Sequence, residues 1–471
     1  PWATPTFHNP SHVLDFYRFS SESASGYQQL QIDIVRALAP DQFITHNFRA
    51  FDSRELDFYD LAAPLDFVSW DNYHFHGATP AIVAATHDRY WGMKQRNFWI
   101  MEQQVSNVNW GPYNPTFRPG EVGLKVWQSI ARGADGIVFF RWRAGTLGAE
   151  LYHSGLLDHG GRQTRGYEEA KALGQAFPTL VPLLQDSVAT AEVAFLHDYP
   201  SRWSLDLQPH NCDLADDRAF ERAFMGPYEA LWERNVPTHV LAARGDHDLS
   251  AYKIVVVPAI NLLGQASAER LDAYVQGGGT LIVTARTGFK DESGKVPGPA
   301  PGHLAGILGT TVEEVDSQPA SHANQVRFVE GPAATVPVRH WFEVLQPTSA
   351  QPLAIYESDY YAGGPAATIR RVGPGRAIYA GVLADAEFYG PLFDSLLPLL
   401  EIRPLMDTPP GVEAAARTGP AGQVLFLLNH NGALARVSIR EGYVDALTGD
   451  RADRHLELEP RDVRILHRRP T

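Results

Sequence analysis

Four short runs of apolar, β-favouring residues recur about every thirty residues in the first third of the chain, and they constrain the fold most. The runs span residues 43–48, 66–73, 97–103 and 136–142, and helix-like segments lie between them at residues 56–62, 80–95 and 121–132. A long amphipathic segment precedes the first run, at residues 12–38. This alternation is typical of βα units. The run GIVFF is apolar throughout, which predicts parallel strands that are buried on both faces.

Parallel βα units close into a (β/α)₈ barrel only when eight of them are present, over about 250 residues. The chain offers four such units. We therefore predict half of a TIM barrel, in residues 1–185.

The remaining 286 of 471 residues are too many for one further core and predict two more domains. The first, residues 186–403, looks like an open, doubly wound α/β domain with a β-rich tail over residues 325–383. The second, residues 404–471, is a small antiparallel β domain with turn-punctuated strands. The predicted strands are residues 193–197, 253–258, 280–284, 422–429, 436–439 and 462–467, and the predicted helices are residues 219–234, 266–276 and 388–400.

Charge and composition exclude several classes of protein. The net charge of -14 carries no basic block, which argues against a nucleic-acid partner. No apolar run reaches the roughly 20 residues of a membrane helix, so no membrane association is expected. The single cysteine, Cys212, permits neither an intrachain disulfide nor a cysteine-rich zinc site. We predict a cytoplasmic protein without metal or cofactor.

One predicted strand ends abruptly in a carboxylate, Glu102, within the sequence FWIMEQQ. A buried, unpaired Glu is costly, while strand ends of a TIM barrel carry catalytic groups. Glu102 is therefore our candidate catalytic residue. The alternative is a solvated Glu at a strand end.

Seven of the ten tryptophans precede Gly145, and aromatic rings stack on the apolar faces of sugars. Trp110 lies in a polar, turn-rich loop, residues 107–115, directly after the strand of Glu102. It is the best candidate for a sugar platform, whereas barrel-core packing is the alternative for the others.

Two further strand ends resemble that of Glu102. One carries Asp71 and Tyr73, and the other precedes Glu150 and His153. A tyrosine hydroxyl can hydrogen-bond a nucleophile, and Glu150 with His153 can grip adjacent sugar hydroxyls. The alternative for Glu150 and His153 is a surface turn, and for Asp71 a structural role is favoured.

These motifs make the chain resemble the glycoside hydrolase family 42 β-galactosidases. The residues that carry the resemblance are NPSHVLDFYRF (9–19), ITHNF (44–48), SWDNY (69–73), WIMEQQ (99–104), FFRWR (139–143) and YHSGL (152–156). Residues 186–403 look like the family's trimerisation domain, and GYVDALTG (442–449) looks like part of its C-terminal β domain.

The resemblance implies the C-terminal half of a clan A barrel and a retaining β-galactosidase. Glu102 would be the nucleophile of a double displacement that forms a covalent glycosyl-enzyme. Tyr73, Trp110, Glu150 and His153 match positions that line the family's sugar subsite. A homotrimer and a β-galactoside substrate are the implied partners.

Retention needs a second carboxyl group roughly 5 to 5.5 Å from the first. The family carries it in an Asn-Glu pair, and no such dipeptide occurs in this sequence. We expect the acid/base carboxylate to lie on a first barrel half outside this chain, either on a separate polypeptide or in a longer precursor. The chain alone is then expected to be inactive. Glu150 is a weak substitute because it follows the wrong strand.

Three other functions stay open. An α-L-arabinopyranosidase would use the same chemistry on a sugar that lacks the C6 hydroxymethyl group. A non-catalytic protein would oligomerise or bind galactose without cleaving it. An amidotransferase-like role of the second domain would need a nucleophilic cysteine at a strand-to-helix turn, and Cys212 lies in a polar stretch.

Overall fold

The protein is described by a computed structural model over residues 8–73, 78–331 and 333–470. Trp2, one of the tryptophans counted above, lies outside these residues. The α-helices of the described part are α1 Pro10–Leu38, α2 Phe58–Ala62, α3 Pro80–Lys94, α4 Glu121–Ala131, α5 Arg165–Leu184, α6 Tyr199–Leu207, α7 Arg218–Trp232, α8 Gln265–Gln276, α9 Ala305–Leu308 and α10 Ala386–Leu399. The first strands are β1 Asn47–Phe48, β2 Ser69–Asn72, β3 Phe98–Gln104, β4 Ala134–Phe140, β5 Val193–His197, β6 Thr238–Ala242, β7 Ile254–Val257 and β8 Thr280–Thr284.

The later strands are mostly antiparallel. They are β9 Thr310–Ser317, β10 Ala323–Phe328, β11 Thr335–Arg339, β12 Trp341–Pro347, β13 Gln351–Tyr356, β14 Pro365–Val372, β15 Gly375–Ala380, β16 Val412–Gly419, β17 Gly422–Asn429, β18 Ala435–Ser438, β19 Val444–Asp445, β20 His455–Leu458 and β21 Val463–Arg468.

The first sheet has the strand order β1-β2-β3-β4, and all its pairings are parallel. The four βα units predicted from the sequence are thus confirmed. They are half the number that a closed barrel requires, and their place as half of a barrel stays a prediction.

The strand predicted over residues 43–48 is shorter than expected, because only Asn47–Phe48 pairs with β2. Before it, side chains take over the hydrogen bonds. The Ile44 N–H donates to the Asp66 carboxylate at 2.6 Å, and the Thr45 hydroxyl donates to the Phe67 carbonyl at 2.8 Å. A sequence pattern of apolar residues does not reveal such side-chain competition for the backbone.

Helix α3 of the first domain packs against the sheet of the second domain. It begins at a Thr79 cap with Pro80 in its first turn, and most of its residues are buried. A Cβ atom on Gly92 would lie 1.8 Å from the Val240 carbonyl oxygen of β6. Glycine is therefore needed for the close approach of this helix to the second sheet.

The second domain is built on a nine-stranded sheet in the order β11-β10-β13-β14-β15-β8-β7-β5-β6. The run from β15 to β6 is parallel, and the run from β11 to β15 is antiparallel. Predicted strands 193–197 and 280–284 coincide with β5 and β8. Strand β6 and helices α5 and α6 had no counterpart in the prediction.

In the third domain β16, β17, β21 and β19 form an antiparallel sheet, and β18 pairs with β20. Phe426 of β17 packs against Trp127 of α4, with ring centroids 6.3 Å apart. The antiparallel strands predicted near the C-terminus are confirmed, and they pack directly against α4.

The domain limits predicted at residues 185 and 403 fall in connecting segments, after Leu184 of α5 and after Leu399 of α10. Cys212 is exposed and opens a short 3-10 turn, Cys212–Leu214, rather than a strand-to-helix turn. None of the helices in residues 8–73, 78–331 and 333–470 has the length and apolar character needed to cross a membrane.

Candidate active site

Strand β3 positions Glu102 at the carboxyl edge of the first sheet. Phe98 and Ile100 are fully buried and anchor the strand, whereas Glu102 is partly exposed. The hydroxyl of Tyr73, one residue past β2, donates to Glu102 Oε2 at 2.7 Å. Burial and then the hydrogen bond to Glu102 raise the pKa of Tyr73, so the phenol stays protonated and serves as a donor. The structure thus joins two residues that were 29 positions apart in the sequence.

The Tyr73 ring is the centre of an aromatic group. Its centroid lies 5.5 Å from that of Trp110 and 5.6 Å from that of His153, both in edge-on geometry. The Trp110 side chain is 52% exposed and offers an open face next to the Tyr73–Glu102 pair. By contrast, Trp70, Trp91 and Trp127 are buried in cores, as the packing alternative predicted.

His153 is buried at 1% exposure, and neither ring nitrogen has a hydrogen-bond partner among the described residues. Burial lowers its pKa, an effect that outweighs the nearby Glu150. A neutral imidazole has one donor and one acceptor nitrogen. Buried polar atoms are normally satisfied, so this ring is suited to receive hydroxyl groups of a ligand.

Glu150 is held by Arg141, the first residue after β4. The Arg141 guanidinium donates to Glu150 Oε2 at 3.2 Å and to the Glu150 carbonyl at 2.7 Å. The Glu150 charge also acts on Tyr73. Sequence reasoning noted the strand end at Arg141 but gave that residue no role. Its position directly after β4 was the available signal.

Two loops are tied together around this group. The Asn109 side chain donates to the Ala149 carbonyl at 2.7 Å, and that of Asn107 donates to the Tyr152 carbonyl at 3.0 Å. The Ser154 N–H returns a bond to the Asn107 carbonyl at 3.0 Å. Trp110 and the Glu150–His153 turn are therefore fixed relative to each other.

Asp71 lies beside Glu102 as its register partner on β2. Burial and then the neighbouring Glu102 charge raise its pKa to about 7. The Asn47 side chain donates to Asp71 Oδ1 at 3.0 Å. A structural role was favoured for Asp71 from the sequence. The structure adds an electrostatic coupling to Glu102, which the sequence did not reveal.

Known proteins are similar to this chain along most of its length. Family profiles described as β-galactosidase, β-galactosidase trimerisation domain and β-galactosidase C-terminal domain match residues 1–180, 191–403 and 411–468. A β-galactosidase of Heyndrickxia coagulans is 32% identical over 99% of this chain and 69% of its own length. The chain belongs to glycoside hydrolase family 42. The family resemblance noted on short motifs is thereby confirmed in all three regions of the chain.

Other β-galactosidases are similar to the chain over a comparable span. A β-galactosidase of Halorubrum lacusprofundi is 36% identical to this family 42 chain over 89% of it. The crystal structure of the β-galactosidase from Bacillus circulans sp. alkalophilus has a TM-score of 0.94 at 31% identity and covers 99% of the chain. The family 42 chain spans 62% of the Halorubrum protein and 70% of the Bacillus chain.

Proposed function

We propose that the chain carries the nucleophile and sugar subsite of a retaining β-galactosidase. Glu102 attacks the anomeric carbon of a terminal β-D-galactose residue, the aglycone leaves, and a covalent glycosyl-enzyme forms. Water then releases the sugar with retained configuration. The observation that carries the proposal is the 2.7 Å hydrogen bond from Tyr73 to Glu102. It directs one carboxylate oxygen, and the other oxygen accepts no hydrogen bond from the described residues, so it is available to react.

The surrounding residues suit one sugar ring. Trp110 provides a stacking face, while His153 and Glu150 provide donors and acceptors for adjacent hydroxyls. The reaction also needs a carboxyl group that protonates the aglycone oxygen and later deprotonates water. We propose that this group lies on a first barrel half supplied from outside residues 1–471, since Glu150 is engaged by Arg141.

A homotrimer is part of the proposal, supported by the trimerisation-domain profile over residues 191–403. Three copies of 52.0 kDa predict an assembly of about 156 kDa. Light scattering on a size-exclusion column tests this mass, and a species of one chain mass would contradict it.

The chemistry is tested with 2-deoxy-2-fluoro-β-D-galactosyl fluoride. Fluoride leaves without protonation, so labelling of the nucleophile does not depend on the acid/base group. Intact-mass spectrometry should find one fluorogalactosyl adduct per chain, and peptide mapping should place it on Glu102. Glu102→Gln should not be labelled. Glu150→Gln keeps the nucleophile and should still be labelled, but more slowly because its sugar contacts are weakened.

A galactose-binding protein that does not cleave its ligand is the second candidate, favoured by the buried and unpartnered His153 ring. It predicts D-galactose binding with no adduct at Glu102, even when a polypeptide carrying the acid/base is added. An arabinopyranosidase would be labelled faster by the matching fluoro-arabinopyranosyl fluoride. Labelling at a residue other than Glu102 would refute the proposed mechanism.

A further inference from the structure

A cavity of about 330 Å³ lies at the carboxyl edge of the second sheet, far along the chain from Glu102. In that sheet β5 lies between β7 and β6, so the chain leaves β5 towards one neighbour and later returns on the other side. Such a switch point opens a crevice at the carboxyl ends of parallel strands, where ligands of doubly wound folds bind. Asp198 follows β5, Arg244 follows β6 and Ile260 follows β7, and all three line the cavity.

The first domain covers this crevice with α1 and α2. Asp57, which caps α2, accepts a hydrogen bond from the Arg244 guanidinium, and Arg244 Nε donates to Asp198 Oδ1 at 3.0 Å. Arg18 of α1 donates to the Glu292 carbonyl at 2.6 Å. These bonds fix the cavity between two domains, so its walls are preformed. None of Tyr73, Glu102, Trp110, Glu150 or His153 lines it.

The lining combines an apolar floor with both kinds of polar group. Leu196, Val257, Ile260 and Leu271 form the floor. Arginine side chains offer only donors and ionised carboxylates only acceptors. A hydroxyl group both donates and accepts, whereas an ammonium ion only donates and a phosphate mainly accepts. A lining that holds both guanidinium and carboxylate groups therefore matches neighbouring hydroxyls better than it matches either ion.

The size of the cavity limits the ligand. Small-molecule sites occupy about 300 to 1,000 Å³, and 330 Å³ lies at the lower end of that range. We propose that the cavity between α1, α2 and the carboxyl ends of β5, β6 and β7 binds a small polyhydroxylated molecule of monosaccharide size. The apolar floor takes the C–H face of the ring, and the Arg244, Asp57 and Asp198 group takes its hydroxyls. This site goes beyond the proposed function and does not depend on it.

Hydrogen-exchange mass spectrometry locates the binding. The whole chain is compared with and without D-galactose, D-glucose or myo-inositol, each tested separately. At a ligand concentration equal to its Kd, exchange by opening of the site should slow about twofold in residues 199–207 and 265–276. Binding at the candidate active site would instead protect residues 102–110 and 149–153. Ethanolamine and inorganic phosphate serve as a cation and an anion of similar size.

Two substitutions test the cavity itself. Ser267→Trp fills it from α8 and should abolish the protection, whereas Ala266→Trp, at an exposed neighbour outside the lining, should retain it. Asp60→Ala removes an exposed acceptor and should weaken the protection at little risk to folding. If Ser267→Trp does not fold, the Asp60→Ala result tests the cavity in its place. The proposal is overturned if no polyol protects these segments, if Ser267→Trp leaves protection unchanged, or if only ethanolamine or phosphate protects.

Discussion

The hydrogen bond from Tyr73 holds the carboxylate of Glu102 in one orientation, and its removal should slow attack. A hydrogen bond to a charged group contributes about 1.5 to 3 kcal/mol, which corresponds to about a tenfold to hundredfold change in rate. We expect Tyr73→Phe to slow labelling by the fluorogalactosyl fluoride by that factor. Tyr27→Phe, at an exposed position of α1, should label at the normal rate. Equal rates in the two variants would show that Tyr73 does not act on Glu102.

The raised pKa of Asp71 predicts that the stability of the protein depends on pH. The folded-state pKa of about 7 lies above the ordinary value of 3.8 for an aspartate. A carboxyl group whose pKa is raised by folding contributes its full stabilisation below about pH 4, and this contribution is lost as pH rises through about 7. Asp71→Asn keeps the shape and removes the charge. We expect it to raise the melting temperature relative to the original chain more at pH 8 than at pH 5.

The coupling of Asp71 to Glu102 gives that variant a second readout. In the original chain the rate of labelling at Glu102 should change near pH 7, as Asp71 ionises beside the nucleophile. The change should vanish in Asp71→Asn. A pH profile with the same inflection in both proteins would assign it to another group.

At the scale of elements, the loop after β3 and the loop after β4 should behave as one unit. Asn109→Ala removes the 2.7 Å bond to Ala149 and leaves that carbonyl without its donor. We expect faster hydrogen exchange in residues 105–113 and 149–153 together, with weaker D-galactose binding and a loss of about 1 kcal/mol in unfolding free energy.

Asn114→Ala is the matched control for this loop prediction. Its side chain bonds only to Gly111 among the hydrogen bonds described, within a single loop. Exchange should therefore rise in residues 105–113 and stay unchanged in residues 149–153. If Asn109→Ala behaves in the same way, the two loops are independent.

On the scale of the whole molecule, a buried charge network connects the three domains. Arg132 at the end of α4 donates to Asp88 of α3 at 2.9 Å and to Glu413 of β16 at 2.7 Å. Tyr228 of α7 donates to the same Asp88 at 2.6 Å, and His430 contacts Glu413 at 2.9 Å. Burial alone would raise the pKa of Glu413, but Arg132 and His430 together lower it to about 2.

This network predicts a strong dependence of stability on Glu413. A carboxyl group whose pKa is lowered by folding stabilises the protein above its ordinary pKa of 4.5, and this contribution is lost as pH falls through about 2. Glu413→Gln leaves the Arg132 charge buried with one partner fewer and should cost about 3 to 5 kcal/mol at pH 7. Urea denaturation measures this cost. Glu457→Gln, in an exposed pair with Arg436, should cost at most about 1 kcal/mol.

Much of the fold was readable from the sequence, because burial leaves a local pattern. Strands β5, β8 and β17 coincide with the predicted strands, since nearly all of their residues are buried and their central residues are apolar. Strand β6 was missed although it is almost entirely buried. Its sequence, THVLA, contains a buried histidine, His239, whose hydrogen-bond partner is the Tyr252 hydroxyl from elsewhere in the fold.

For the candidate site, the sequence by itself determined which residue types stand at the ends of consecutive parallel strands. Because carboxyl ends of parallel strands share one edge, that was enough to propose Glu102, Tyr73, Trp110, Glu150 and His153 together. The tertiary structure alone decided the grip of Arg141 on Glu150, the coupling of Asp71 to Glu102 and the cavity between two domains. These depend on how strands, helices and loops bring side chains together in space, and a local sequence pattern carries no information about such distances.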